Sequence, residues 1–175
     1  MFAILSLALT AFAIAGAVGD VRTKRIPNRL VLAGLAAALV IRAGSGWLPL
    51  AHGLGGAALA LAIGFPLFAL RAFGAGDVKF LSMCGAFVGL PLIGKSALFA
   101  GAAGGVLALV VIAQRRLPLV AALRTWNLMR MAATFGQEGE RMTLQDQGAI
   151  AAPYAVAIAA GVLLAWFGTA GGWIP

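Results

Sequence analysis

Apolar stretches long enough to cross a bilayer follow one another along this chain with only brief polar breaks. Phe2–Gly19, Pro27–Ala43, Ala51–Leu70, Asp77–Ile93, Ser96–Ala113 and Gly148–Phe167 each approach the roughly 20 residues that a spanning helix needs. Soluble packing does not call for such runs. Only 10% of the residues are charged, against about 25% in a soluble domain. The predicted fold class is therefore all-α: a polytopic membrane helix bundle of about six transmembrane helices. It is read as one integral membrane domain over residues 1–175. Small residues late in Phe2–Gly19 resemble a leader cleavage region, but no Lys or Arg precedes the apolar core. That stretch is expected to remain as a membrane helix.

Charge orients the bundle. The connections 20–29, 71–79 and 114–148 carry four, two and five cations, which is 11 of the 13 Lys and Arg residues. The opposite connections carry only Arg42 and Lys95. Cations are retained on the inner side of membranes. This puts the basic loops inside and both termini outside, with the membrane as the inner (plasma) membrane. In the long inner connection, Leu117, Val120, Leu123, Leu128 and Met131 are interleaved with Arg115, Arg116, Arg124 and Arg130. That pattern predicts an interfacial amphipathic helix, followed by the polar stretch Gln137–Gln147. Trp173 is expected as an interface anchor. Gly85 with Gly89, and Gly101 with Gly105, recur at helical spacing and are expected to line helix–helix contacts.

Several chemistries are excluded. The net charge of +8 would suggest nucleic acid in a soluble protein. Here the cations flank apolar segments, so the expected partner is the lipid bilayer, with no nucleic acid. One cysteine, Cys84, and one histidine, His52, rule out a thiolate cluster and a histidine metal site, and the topology places His52, the sole candidate for a nucleophilic couple, on the outer face. No phosphate-binding glycine loop followed by Lys-Ser/Thr occurs. No metal and no cofactor is expected.

Two carboxylates remain. Asp20 and Asp77 stand at the ends of apolar runs, whereas the other three acidic residues lie in the long inner connection. The topology brings both to the same membrane surface, 57 residues apart in sequence. A charge within the bilayer costs at least about 2.5–3.5 kcal/mol, so such residues are functional candidates. Each also has a plainer reading. It could be solvated among headgroups, or paired with Arg22 or Lys79, and Asp77 could cap a helix. Gly74 and Gly76 beside Asp77 permit unusual dihedrals and close backbone approach. Pro27 suits the first turn of the second helix. Arg22, Asn28 and Lys79 complete the polar set.

Two close carboxylates do not ionise together easily, so the pair supplies a general base and a general acid at once. The base activates a water against a peptide carbonyl and the acid protonates the leaving amine. Two other readings use the same aspartates. A transporter or proton relay would use them as an ion site, with acidic residues or broken helices at the midplane. A non-enzymatic assembly subunit would use them only as caps and would tolerate Asp77→Asn.

Asp20-Val21-Arg22 with Ile26-Pro27-Asn28, and Gly74-Ala75-Gly76-Asp77-Val78-Lys79, resemble the prepilin peptidases, the GxGD-type membrane aspartic proteases. The short form is similar to the peptidases of tight-adherence (Flp) pilus systems. Pro153-Tyr154-Ala155 also resembles that family. The resemblance implies that Asp20 and Asp77 are the catalytic pair. It further implies a pilin-like precursor as substrate, cut after a short basic leader on the inner side of its apolar segment. Larger relatives carry a cysteine-paired inner domain and N-methylate the new terminus. The short connection after the first helix and the single cysteine imply that this activity is absent.

Overall fold

The computed structural model describes residues 2–70, 73–115 and 154–173. Six helices and no strands occur among them. They are α1 (Phe2–Thr23), α2 (Asn28–Ala43), α3 (Trp47–Ala69), α4 (Ala75–Val88), α5 (Leu90–Arg115) and α6 (Tyr154–Ala170). The amphipathic segment expected beyond Arg115, and the start of the sixth span, lie outside the described residues. Phe2–Thr23, Trp47–Ala69 and Leu90–Ala108 are long and apolar enough to cross a membrane. α2, α4 and α6 are shorter, at 16, 14 and 17 residues. The chain is an all-α membrane helix bundle.

α4 is the hub. α1, α2, α3, α5 and α6 pack in that cyclic order, each against the next, and α4 touches all five. Phe80 through Val88 are all buried, so this helix meets protein where the others meet lipid. Apolar association is weak between helices in lipid, and close approach must come from small residues. Gly56 of α3 and Gly85 of α4 leave no room for a Cβ on either side. The Ser82 hydroxyl crosses the same seam to the Ala57 carbonyl at 3.1 Å. Gly161 of α6 is pressed onto the backbone of α5 at Ala100. By contrast, Gly101 and Gly105 face open space. The expected contact there does not form among the described residues, because α5 turns Ala100 and not Gly101 toward α6.

The pairings define two ends. At one end Ala155 meets Asp20 and Lys79 meets Asn28. At the other, the Trp166 indole donates to Ser6 Oγ at 2.8 Å, and Arg42 meets Ala86. The sequence makes Arg42 an outer flanking cation. The structure buries it, at 7% exposed. Its Nε and both terminal nitrogens donate to the carbonyls of Ala86 (2.8 Å), Pro49 (3.1 Å) and Phe87 (2.7 Å). These carbonyls include the last turn of α4, which lacks partners of its own. Arg42 is therefore the C-terminal cap of the central helix.

Helix boundaries also differ from expectation. The fourth apolar run does not continue to Ile93. α4 stops at Val88, and the chain reverses at Gly89 with φ 78°. Such a value suits glycine, and Arg42 fills the space beside it. α1 runs past Asp20 to Thr23, ending where Lys24 takes φ 53°. α3 begins at Trp47, one turn ahead of the expected Ala51.

Candidate active site

Asp20 is not at a helix end. The α1 ladder continues beyond it, with Lys24 N–H donating to the Asp20 carbonyl at 2.9 Å. Thr23 Oγ1 binds the Gly19 carbonyl at 2.8 Å. This last turn places the Asp20 side chain on the inner face of α1, where it is 8% exposed. Ala155 N–H, in the first turn of α6, donates to Asp20 Oδ2 at 3.2 Å. That amide is one of the donors a helix start leaves free, and a carboxylate there is favoured by the helix dipole.

Asp77 lies in the first turn of α4 and is half-buried. It is not the cap residue itself. Gly74 holds that position, and Asp77 reaches back so that Gly74 N–H donates to Oδ2 at 3.1 Å. Asp77 N–H in turn donates to the Gly74 carbonyl at 3.1 Å. The side chain is thereby held at the entry of the helix. Gly74 has φ −77° and ψ 154°, which any residue adopts. Its value is space: a Cβ there would lie 3.2 Å from Asp77 Oδ2. Gly76 packs against the Ile26 side chain, whose Cβ lies 3.8 Å from where a Cβ would stand.

The two aspartates occupy the same end of the bundle. Gly16, one turn before Asp20, is in contact with the ring of Phe80, one turn after Asp77. α1 and α4 thus touch just below the pair, and the carboxylates lie within each other's electrostatic reach. Among the described residues their hydrogen-bond partners are backbone amides and not cations. Arg22 is exposed on the last turn of α1. Lys79 is exposed and donates to Asn28 Oδ1 at 3.3 Å, tying α4 to the start of α2. Pro27 precedes α2 and leaves its carbonyl to accept from Leu30 and Val31 N–H. Its ring also lies beside Gly19. These four residues lie at the same end of the bundle as the pair.

Two residues join the site that spacing alone does not mark. Tyr154 opens α6, and its ring packs on Phe73 with centroids 5.4 Å apart. Tyr154 is also within electrostatic reach of Asp77. Only the resemblance of Pro153-Tyr154-Ala155 points there from sequence, and Pro153 lies outside the described residues. Among the described residues no three His, Cys, Asp or Glu side chains group as metal ligands.

Among the described residues each carboxylate accepts one backbone amide, and both stand at one end of a membrane bundle. No curated protein and no solved structure matches the chain. Residues 7–111 match the type IV leader peptidase family. This span is more than half of the chain and contains both aspartates, the Arg22 to Asn28 turn and the Gly74–Lys79 segment. The chain therefore belongs to the type IV leader peptidase family, a family of membrane proteases.

Proposed function

We propose that this protein is an aspartic endopeptidase in which Asp20 and Asp77 act as a dyad on pilin-like precursors. One observation carries the reading. Two carboxylates from different helices stand at the same end of the bundle, each accepting a backbone amide at Oδ2. A water between them loses a proton to one carboxylate as it attacks the scissile carbonyl. The other carboxylate gives its proton to the departing amine. The titration belongs to the pair, so neither residue has a fixed part as acid or base.

The substrate's apolar segment lies in the bilayer beside the bundle, and its basic leader projects beyond the headgroups. The scissile bond reaches the dyad at the rim made by Gly74–Gly76 and the Lys24–Pro27 turn. The charge distribution supports a cytoplasmic-face site in the inner membrane, since the connections next to Asp20 and Asp77 belong to the basic set. Residues 1–175 act as one peptidase domain, without N-methyltransferase activity and without a cofactor. Arg22, Pro27, Asn28, Gly74, Gly76 and Lys79 support or position the reacting groups.

The test replaces Asp20 and Asp77 separately with Asn and follows precursor cleavage in membranes. Both variants are expected to accumulate uncut precursor. Processing near the wild-type rate by either one would sink the dyad.

A further inference from the structure

The clamps on the two carboxylates share an unexpected connection. Asp20 is gripped by the amide of Ala155, and the residue before Ala155 is Tyr154. Asp77 is gripped by the amide of Gly74, and the residue before Gly74 is Phe73. Tyr154 and Phe73 are the two rings that pack together, with centroids 5.4 Å apart and planes inclined at 41°. A closed circuit results. It runs from Asp20 to the start of α6, across the ring contact to the start of α4, and on to Asp77. Its return path is the contact of α1 with α4 at Gly16 and Phe80.

We infer that Phe73 and Tyr154 are a positioning pair whose ring contact sets the separation of the two carboxylates. The inference deepens the dyad reading and rests on it. The physical argument is short. Each clamping amide is one peptide unit from its ring, and peptide units are planar and stiff. When the rings shift apart, the amides shift with them, and the carboxylates follow their donors. Neither ring touches the reacting atoms in this role. The return path joins α1 to α4 a turn or more below the carboxylates, at Gly16 with Phe80 and at Phe12 with Phe87, and leaves their own level to the ring contact. The Phe73 backbone is itself anchored, its N–H donating to the Leu67 carbonyl at 3.2 Å. The pair is therefore tied to α3 on one side and to α6 on the other.

Positioning of this kind acts on the chemical step more than on substrate capture, since a displacement of about 1 Å costs about 10²-fold in rate. Tyr154→Leu is expected to lower kcat by about 10²-fold while leaving KM nearly unchanged. Phe73→Leu should do the same. The double variant should be no slower than the slower single one, because the contact is lost once. Tyr154→Phe and Phe73→Tyr keep the ring contact and should retain most of the rate.

A second measurement reads geometry without activity. Spin labels on Arg22→Cys and Ala75→Cys, both exposed positions beside the aspartates, report the distance between the ends of α1 and α4. Cys84 is buried and is left in place. Addition of Tyr154→Leu should shift and broaden this distance distribution, whereas Tyr154→Phe should not. The pair would be overturned by an unchanged distribution in Tyr154→Leu. Rate losses that multiply in the double variant would also overturn it. If Asp20→Asn or Asp77→Asn stays active while the distances respond as expected, the dyad fails and the ring tether stands.

Discussion

Two buried charges sit at opposite ends of this bundle and are treated in opposite ways. Arg42, 7% exposed, is surrounded by carbonyls that accept from Nε and from both terminal nitrogens. Asp20, 8% exposed, accepts one amide among the described residues and lies near a second carboxylate. Burying an ion in a membrane protein is costly, and the cost is offset by fixed dipoles. At the Arg42 end the offset is spread over three carbonyls of two segments, and the charge has become part of the scaffold. At the aspartate end the offset is partial. Among the described residues one amide meets each carboxylate, which serves stability poorly and is what the proposed dyad calls for.

The largest break in this comparison would come from the aspartates. Asp20→Asn should slow precursor cleavage by about 10³-fold, or ~4 kcal/mol in the barrier. Its unfolding temperature in detergent should stay near wild type. Arg42→Met should reverse the pattern. Three carbonyls lose their donor, at about 1–3 kcal/mol each, so thermal unfolding should reveal a loss of ~3 kcal/mol or more. Cleavage per folded molecule should stay close to wild type. If Arg42→Met instead slows the folded enzyme as Asp20→Asn does, the division of labour between the ends is wrong.

Smaller effects sharpen the same line. Gly16→Ala puts a methyl into the Phe80 ring, an overpacking worth about 1–3 kcal/mol. It should lower both stability and cleavage, and Phe80→Leu in the same chain should restore part of each. Gly89→Ala meets a φ of 78°, unfavourable by about 1–2 kcal/mol, and crowds Arg42 Nη2 at 2.9 Å. Only stability should suffer, as read by unfolding. Lys79→Met removes an exposed contact to Asn28 and should change stability by no more than about 0.5 kcal/mol.

Much of the aspartate end was legible in the sequence. Asp20 and Asp77 interrupt apolar runs, and alternation of spans is enough to bring them to one end. The opposite end was not legible. The run Phe87–Ile93 is apolar apart from Gly89 and Pro91 and carries no charge, so hydropathy carries it straight past the turn at Gly89. What makes that turn possible is a guanidinium 47 residues earlier, and no local pattern links the two. The same limitation hid the carboxylate clamps. A backbone amide has no sequence signature, so the grips of Ala155 and Gly74 emerge only when α6 and α4 are in place. Gly74 and Gly76 suggest both unusual dihedrals and close approach, and at Gly74, with φ −77°, the structure uses the second. The cations that follow Asp20 suggest a helix end there. The helix instead continues one turn through Arg22 and Thr23, which keeps the carboxylate facing inward.

The central helix has 14 residues, about 21 Å at 1.5 Å per residue, whereas the hydrocarbon layer is about 30 Å thick. Ringed by five others, it has almost no boundary with acyl chains. Bilayers of different thickness load the outer helices, which tilt or snorkel in response. The helix bearing Asp77 is insulated from that load. Its depth is set by its contacts with those five helices, so the end bearing Asp77 keeps its own level as the surrounding lipid changes.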